Sequence, residues 1–474
     1  MSKPLPLCVD LDGTLIHSDM LLESFIRLLR QKFLTIFLIP LWLLKGRSCL
    51  KHEIAARVKI DYCCLPFNTA LIEYIKKEKE KARPIILVTA SDKIIADAIA
   101  EQLQLFDDVL ASTDKLNLKG QNKAALLVEK FGEQGFDYVG NERADLYVWK
   151  CANKAISVSH HRDLKQSLSN LDKVEYLDAG SEKPFIKSAV RALRPHQWAK
   201  NLLVFVPLLL AHDYLDESRV VSTFLAFIAF CLCASSVYIF NDLMDLDADR
   251  RHPEKKNRPF AAGNLSILTG LGMAALLLLL SSLIAFNISI GFALVFLAYF
   301  FTTTAYSLGL KALALVDVFI LAGLYTIRVL AGAFSANVEM SFWLLAFSLF
   351  IFFSLAMLKR YSELYNLEQR EKKKTLVRGY STDDKNILSL LGVTSGYISV
   401  LVLALFITTP EHMVEYRKPE FLWIVFPALL FWISRVWLLA FRGQMNEDPV
   451  LFALKDRSSY FIALIAAMGV ALAV

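Results

Sequence analysis

The sequence predicts two domains of different fold class, an N-terminal α/β domain of Rossmann-like type and a C-terminal all-α domain of membrane helices. The chain has 474 residues, which is more than one ordinary core holds, and 55% of them are hydrophobic. These apolar residues are unevenly spread. Residues 1–182 carry mixed charge and short apolar runs, whereas long apolar stretches alternate with charged loops from residue 183 onward. The predicted domains are therefore 1–182 and 183–474.

The charged residues and cysteines narrow the classes of function. The net charge is +6, and the basic residues lie between apolar spans, as expected of cytoplasmic loops that face anionic lipid. They form no surface-sized patch, so we expect no nucleic-acid partner. The seven cysteines suit neither a disulfide framework nor a common zinc spacing, and we interpret them as reduced or buried thiols. The N-terminus lacks a secretory signal, which predicts a cytoplasmic first domain.

The second domain contains nine candidate membrane spans, because a spanning helix needs about 20 apolar residues. With the first domain in the cytoplasm, nearly all loop lysines and arginines fall on the cytoplasmic side, and the opposite loops carry only Arg417 and Lys418. An odd number of spans then places the C-terminus outside. The candidates are 198–212, 220–240, 265–286, 288–306, 312–334, 342–358, 387–408, 421–441 and 459–474.

The apolar run 33–44 in the first domain is too short to span a bilayer and contains Pro40. Two interpretations remain open at this point. The run is either a buried helix of the soluble domain or an interfacial helix that docks the domain on the membrane.

An aspartate-rich segment follows the second predicted span. Asp242, Asp245 and Asp249 lie at i, i+3 and i+7, which is one face of a helix, and Asn241 precedes them. Carboxylates on one face repel each other unless cations neutralise them, and Mg²⁺ commonly bridges carboxylates to substrate phosphates. The alternative is a solvated helix end with ordinary surface acids. Arg258 follows in a turn and suits phosphate binding.

Further polar residues lie within or beside apolar spans. Asp317 and Arg328 are costly in the fifth span unless they face a polar cavity, although a structural ion pair is the alternative. In the first span, Lys200 and Asn201 are placed to reach a phosphate. The other candidates for substrate binding around the fifth span are Tyr306, Lys311 and Tyr325.

The first domain opens with an apolar strand that runs into Asp10-Leu-Asp12-Gly-Thr. A strand end places both carboxylates at the edge of a sheet, where open α/β folds bind ligands. There Asp10 can attack a phosphoryl group while Asp12 protonates the leaving oxygen. A second strand ends in Thr89, and Lys123 and Asp145 follow in order.

Residues 4–160 resemble the haloacid dehalogenase superfamily in the DxDGT motif and the order of the later motifs. The resemblance implies that Asp10 is the nucleophile and Asp12 the acid and base. It implies that Thr89 and Lys123, or Lys119 as the alternative cation, contact the phosphate, and that Asp10, Asp12 and Asp145 hold Mg²⁺. It also implies a helical cap at about 15–84. One departure is that the fourth motif has Asn141 in place of an aspartate. The phosphatase is therefore either active or a regulatory remnant.

Residues 190–460 resemble the UbiA superfamily of membrane transferases in the segment Asn241-Asp-x-x-Asp-x-x-x-Asp249 and in stretches such as RPHQWAKNLLVFVPLL, KRYSEL and DPVLFALKDR. The resemblance implies nine helices, Mg²⁺-diphosphate bound by Asp242, Asp245 and Asp249, and a bacterial inner membrane. This sequence departs from the pattern at the second motif, where Lys311, Asp317 and Arg328 replace DxxxD.

Within that superfamily the details look closest to the enzymes that transfer phosphoribose from phosphoribosyl pyrophosphate to a polyprenyl phosphate. The alternative is prenyl transfer from a prenyl diphosphate to an aromatic or other acceptor. A transporter or lipid-binding scaffold with an inactive transferase fold also remains open, as does assembly into an oligomer.

Overall fold

The structure is a computed structural model. It describes residues 4–114, 116–159, 162–169, 171, 173–177, 184–369, 379–408, 417–445, 448–453 and 455–473. The chain divides into two compact units, one of residues 1–193 with 238–275 and one of residues 194–237 with 276–474. The predicted domain boundary at 182–183 lies outside the described residues, as do the predicted loop cations at 370–378.

The first unit is built on a parallel sheet of six strands in the order β3-β2-β1-β4-β5-β6. Because β1 lies between β2 and β4, the strand order reverses beside it, and open α/β sheets bind their ligands at this position. Its strands are near-continuous apolar runs, as expected when helices cover both faces. The strands are β1 (Leu7–Val9), β2 (Ile85–Asp92), β3 (Asp108–Ser112), β4 (Asp137–Gly140), β5 (Lys154–Ser157) and β6 (Val174–Tyr176).

Short helices complete this unit, and several begin at a side-chain cap. Asp19 caps α1 and Asn68 caps α4, each by accepting a hydrogen bond from a backbone N–H of the first turn. The segment between β1 and β2 is helical, in agreement with the predicted cap. The helices are α1 (Met20–Gln31), α2 (Ile39–Leu44), α3 (Arg47–Ala55), α4 (Thr69–Glu80), α5 (Lys93–Leu103), α6 (Gln121–Phe131), α7 (Leu146–Trp149), α8 (Arg162–Leu168) and α9 (Phe185–Leu193).

Residues 238–275, which carry the aspartate-rich segment, belong to the same compact unit as the sheet. Helix α11 (Glu217–Met244) ends one residue before Asp245, and α12 (Leu246–Arg251) begins one residue after it. Asp245 itself has φ −99° and ψ 14°, outside the helical region. The segment is therefore two helices with a break, and the predicted single helical face does not continue through Asp245.

The second unit is helical. Seven helical segments of the described residues are long and apolar enough to cross a membrane, so the chain is a multi-pass membrane protein: Glu217–Met244, Ile267–Ile288, Ile290–Leu308, Val316–Ala336, Phe342–Gln369, Thr382–Thr408 and Pro419–Phe441. The remaining helices are α10 (Val206–Leu210), α13 (Ile267–Ile288), α14 (Ile290–Leu308), α15 (Val316–Ala336), α16 (Phe342–Gln369), α17 (Lys385–Thr408), α18 (Val425–Phe441), α19 (Pro449–Ala453) and α20 (Arg457–Ala473).

The predicted count of nine spans is not confirmed, and the difference lies in the first and last candidates. The candidate 198–212 begins inside a 3₁₀ segment, Pro195–Phe205, and continues through the five-residue helix α10. At the other end, α20 has 17 residues. Both segments are short: Pro207 lies in the first turn of the five-residue α10, and the last helix begins only at Arg457.

Candidate functional sites

The Asp10 motif lies where the sequence places it, directly after β1. The Asp10 carboxylate accepts a hydrogen bond from the Lys123 ammonium at 2.7 Å, and both side chains are buried. The Thr14 hydroxyl is within hydrogen-bond distance of two oxygens, at 3.4 Å from Asp10 Oδ2 and 3.0 Å from Asn141 Oδ1. The predicted nucleophile Asp10 and the predicted phosphate contact Lys123 thus meet at the sheet edge, next to Thr14 and Asn141.

Gly13 makes this approach possible. Its φ of +71° lies in the left-handed region, and a Cβ atom there would meet Asn141 Nδ2 at 2.3 Å. Glycine is therefore required both for the turn and for the side chain of Asn141 to lie against it.

Asp12 is held by two donors. Its Oδ1 accepts the backbone N–H of Met20 at 2.8 Å, and its Oδ2 accepts the Ser91 hydroxyl at 2.6 Å. Burial raises the pKa of Asp12 to about 6 and that of Asp10 to about 7, although Lys123 opposes the rise at Asp10. An aspartate whose pKa is near neutral can carry and release a proton, as the predicted acid and base must.

The other predicted residues of this site have different surroundings. Thr89 is buried, and its hydroxyl oxygen accepts the Ser91 N–H at 3.0 Å. The hydroxyl that donates to Asp12 belongs to Ser91. Asp145 accepts the N–H groups of Asn141 and Glu142 at 3.0 Å. Asp145 also accepts the Tyr138 hydroxyl at 2.9 Å. Its oxygens therefore order the loop after β4.

Sequence reasoning missed Ser91 and Tyr138. The Tyr138 hydroxyl is 2.9 Å from Lys123 Nζ and so links this cation to Asp145. Ser91 follows the predicted Thr89 by two residues and could have been found from that spacing; Tyr138 lies inside a strand and carried no signal.

This site fits Mg²⁺ through its oxygen atoms. Asp10 Oδ2 and Asn141 Oδ1 face the same hydroxyl, and hard cations take carboxylate and amide oxygens. The described residues contain no preformed group of three His, Cys, Asp or Glu side chains for a metal. Asn141 in place of a carboxylate is one reason, because it supplies an oxygen without charge.

In the aspartate-rich segment, the structure brings Asp242 and Asp249 together across the helix break. The Arg258 guanidinium donates to Asp242 Oδ1 at 3.0 Å and to Asp249 Oδ2 at 2.6 Å. Burial raises the pKa of Asp249, with Arg258 acting against the rise. Two buried carboxylates that share one cation are the donor set that suits a divalent metal bound to diphosphate.

The other two aspartates of the segment face α1. Asp245 lies at the break, 3.7 Å from the Arg30 guanidinium. Asp247, which we did not place among the metal ligands, accepts two hydrogen bonds from Arg27 at 2.5 and 3.1 Å. The break at Asp245 is therefore what separates these carboxylates into different environments.

A buried ion network joins this segment to α1. Glu23 is fully buried and accepts hydrogen bonds from Arg250 and Arg27, each at 2.6 Å, and from the Ser18 hydroxyl. Although burial opposes the effect, the two guanidinium groups lower the pKa of Glu23 to about 2. The sequence analysis found no role for Glu23 or Arg27.

In the second unit, Arg328 and Asn201 form one buried polar cluster. The Arg328 guanidinium donates to Asn201 Oδ1 at 2.8 Å and to the Tyr299 hydroxyl at 3.0 Å. Lys200 pairs with Asp448 at 2.5 Å, and its ammonium lies 6.0 Å from the ring of Tyr325. The predicted cations of the first and fifth spans therefore lie around a shared aromatic group, since Arg328 is also 5.6 Å from Tyr325.

Asp317 forms a second cluster. It accepts hydrogen bonds from Arg360 and from the Tyr380 hydroxyl, both at 2.5 Å, and Arg360 also donates to Tyr306 at 3.1 Å. The alternative of an Asp317–Arg328 ion pair is wrong for the described residues, because each side chain has other partners. Arg360 and Asp448 were missed as site residues, although both lie in stretches that carry the family resemblance.

Lys311 lies in the 3₁₀ segment Leu310–Ala312, between α14 and α15, and is half-buried. Asn241 lies in the last turn of α11, and its carbonyl accepts the N–H of Asp245 at 2.9 Å. Lys311 and Asn241 stay predicted substrate contacts.

Comparison with known proteins identifies the second domain. The UbiA prenyltransferase family model matches residues 202–465. A protein of Sinorhizobium fredii called uncharacterized protein y4nM is 37% identical over 98% of this chain and 90% of its own length. The nodulation protein NoeC of Azorhizobium caulinodans is 38% identical over 59% of this chain and 90% of its own length. The decaprenyl-phosphate phosphoribosyltransferase of Mycolicibacterium smegmatis is 31% identical over 62% of this chain and 95% of its own length.

Solved structures match each part of the chain. A UbiA homologue of Archaeoglobus fulgidus bound to GPP and Mg²⁺ covers 60% of this chain and 99% of its own, with 18% identity and a TM-score of 0.46. The N-terminal region matches a phosphoserine phosphatase over 37% of this chain and 94% of that one, with 18% identity and a TM-score of 0.26. The family model covers more than half of the sequence, and the chain is a member of the UbiA prenyltransferase family.

Proposed function

We propose that the membrane domain transfers a phosphoribosyl group from phosphoribosyl pyrophosphate to a polyprenyl phosphate. The observation that carries the proposal is the 31% identity to a decaprenyl-phosphate phosphoribosyltransferase along 95% of that enzyme. The enzyme would lie in a bacterial inner membrane with its N-terminal domain in the cytoplasm, where phosphorylated sugars are available.

In this reaction a lipid phosphate oxygen forms a bond to C1 of the ribose, and the bond from C1 to the pyrophosphate oxygen breaks. The nucleophile is already an anion, so the protein need supply no strong base. Its contribution is positioning and neutralisation of charge. Mg²⁺ held by Asp242 and Asp249 would stabilise the departing pyrophosphate, and Asp245, the third predicted ligand, would have to turn away from Arg30 to join them.

The chain's own cations suit the remaining phosphate groups. Arg328 and Lys200 lie around Tyr325, and Arg328 is oriented by Asn201 and Tyr299, which is the arrangement a planar guanidinium needs to bind a phosphate in one orientation. Arg258, which bridges two carboxylates, would release them to the metal and contact the diphosphate.

Prenyl transfer from a prenyl diphosphate is the second candidate, favoured by the description of the family whose model matches residues 202–465. It needs the same carboxylates but reverses which substrate carries the diphosphate. A transporter or scaffold would need none of this chemistry.

For the N-terminal domain we propose phosphatase activity that removes the 5-phosphate from the lipid-linked product. Asp10 attacks phosphorus and the bond to the sugar oxygen breaks, while Asp12 donates its proton to that oxygen. Water, deprotonated by Asp12, then attacks the phosphorus of the aspartyl phosphate, which restores Asp10 and releases phosphate. Lys123, 2.7 Å from Asp10, would neutralise the phosphoryl oxygens.

The test is a transfer assay with the purified full chain in detergent, a polyprenyl phosphate, Mg²⁺ and phosphoribosyl pyrophosphate labelled in the ribose. We expect label in the lipid fraction, and its loss in Asp242→Asn. With Asp10→Asn we expect the lipid product to form and keep its 5-phosphate.

Absence of lipid label, with an active control enzyme in parallel, would overturn the phosphoribosyl proposal and favour prenyl transfer. A product that loses its 5-phosphate equally in wild type and Asp10→Asn would overturn the phosphatase proposal alone. Substrate-dependent flux that survives Asp242→Asn and Asp245→Asn would instead indicate a transporter.

A further inference from the structure

The first unit contains a cavity of about 530 Å³ beside α1, away from the Asp10 site. Its size is that of a small-molecule site. Four of its lining residues are cationic and two are acidic, so its lining is positive overall: Arg27, Arg30, Lys59 and Arg251 against Asp61 and Asp247. We call this cavity the α1 pocket.

Two of these cations are already neutralised. Arg27 is buried between Glu23 and Asp247, and Arg251 pairs with Asp61 at 2.5 Å. They form walls of the pocket and do not supply its excess charge.

The remaining two cations are Arg30 and Lys59. Arg30 donates a hydrogen bond to the Met244 carbonyl at 3.0 Å and forms a long ion pair with Asp245 at 3.7 Å, so its charge is partly balanced, but its other N–H groups are left for a ligand. Among the residues that the structure describes, the Lys59 ammonium has no ion-pair partner. A ligand with two or more anionic oxygens would satisfy both cations.

The position of Lys59 is set by α1. The Gln31 side-chain amide donates to the Lys59 carbonyl at 2.9 Å and accepts the Lys59 N–H at 3.0 Å. This pair of hydrogen bonds fixes the backbone of the loop next to the end of α1. The backbone of Lys59 is therefore held beside the end of α1, the helix that carries Arg30.

The pocket also has an apolar part of its lining, formed by Ile26, Ile60, Leu243 and Leu246. A lining of hydrocarbon next to a pair of cations matches an amphiphile with a phosphate headgroup, whereas a free sugar phosphate would gain nothing from the apolar wall.

The chain that leaves α1 supports a lipid as the source of this phosphate. In the segment Leu34–Leu44, Trp42 is the buried residue, packed with Leu28 and Ile54, while Leu34, Phe37 and Leu44 are 77%, 71% and 86% exposed. The interpretation of this run as a wholly buried helix is therefore wrong.

Basic residues flank the exposed surface, with Lys32 before it and Lys45 and Arg47 after it. Apolar side chains between basic flanks are complementary to the interface of an anionic bilayer. Exposed apolar surface of this extent is otherwise a liability in a soluble domain. Since Arg30 and Gln31 end the helix that leads into this segment, the α1 pocket lies next to it along the chain.

We propose that the α1 pocket binds the phosphate monoester headgroup of a membrane lipid, with Arg30 and Lys59 as the phosphate contacts and Leu34–Leu44 inserted in the bilayer interface beside it. The site would hold a lipid phosphate close to the aspartate-rich segment, because Met244 and Asp247 belong to both. The inference rests on the proposed function only in that the lipid chosen for the test has a polyprenyl chain.

The test uses the full chain in nanodiscs with anionic lipid and a farnesyl phosphate that carries a photoreactive group on its chain. After irradiation, labelled peptides are mapped by mass spectrometry. We expect label on peptides that contain Ile26–Gln31 or Leu243–Ala248. In Arg30→Gln with Lys59→Gln this label should fall by about tenfold or more, since two charge-assisted hydrogen bonds are lost.

The matched control is Lys76→Gln with Lys77→Gln, which removes two exposed charges from α4 in the same unit and should leave the label unchanged. Equal labelling in the pocket variant and the control variant would overturn the proposal. In a second arm, unlabelled farnesyl phosphate or inorganic phosphate is added to compete with the photoreactive probe. If inorganic phosphate prevents labelling at the same concentration as farnesyl phosphate, the site binds free phosphate and the proposal is overturned. The readout requires no turnover, so it stands apart from any failure of the transfer assay.

Discussion

Replacement of Glu23 by glutamine should loosen the aspartate-rich segment from α1. In the wild type, Glu23 is fully buried and neutralises Arg250 and Arg27, whose side chains are each 4% exposed. Glutamine keeps the shape but removes the charge, and it leaves two buried guanidinium groups with only Asp247 to balance them. Removing one partner of a buried ion pair costs about 3–5 kcal/mol.

The measurement is hydrogen exchange by mass spectrometry on the full chain in detergent. A loss of about 3–5 kcal/mol corresponds to a rise in exchange rate of roughly 10²–10⁴-fold for amides that exchange through this opening. We expect the increase in α1 and in residues 246–251, and little change in β5 or α17.

The control is Asp61→Asn, which breaks the exposed pair with Arg251 and should cost about 1 kcal/mol or less. The reasoning is refuted if Glu23→Gln and Asp61→Asn raise exchange in residues 246–251 by the same amount, since the buried charge would then have no special effect.

Three further predictions concern the same structure. The pKa of Glu23 is lowered from 4.5 to about 2, which corresponds to a contribution of about 3 kcal/mol to the stability of the folded state. This contribution should be complete above pH 4.5 and be lost as the pH falls from there toward 2. Hydrogen exchange of the α1 amides, measured across this pH range, checks the expectation. Asn141→Asp adds the missing carboxylate beside Asp10. It should lower the Mg²⁺ concentration for half-maximal hydrolysis of p-nitrophenyl phosphate by about tenfold. An unchanged Mg²⁺ dependence would show that Asn141 is not near the metal. Tyr380→Phe removes the hydroxyl that donates to Asp317 and accepts the Leu315 N–H, so Asp317 keeps Arg360 but loses one of its two donors. A loss of about 1–3 kcal/mol should lower the Tm of the full chain by several degrees, and an unchanged Tm would contradict this expectation.

The sequence alone determined the features that follow from local chemistry. The apolar run that ends in Asp10 and the later motifs predicted a parallel sheet with a site at its edge, and the structure places Lys123 and Asn141 there. Hydropathy predicted the long spans, because twenty apolar residues identify a membrane helix without any tertiary information. The candidates 198–212 and 459–474 are not confirmed, because these apolar stretches are too short for length alone to decide.

Only the tertiary structure decided which charged groups meet. Asp317 and Arg328 share an apolar span, yet Asp317 pairs with Arg360, 43 residues away in sequence. Arg27 pairs with Asp247 across 220 residues, and a helix break at Asp245 is what turns Asp247 toward it. Periodicity relates residues within a few turns of a helix, whereas the partner of a buried charge is set by which distant segments pack together. For that reason the residues of each motif could be named from the sequence, and their partners could not.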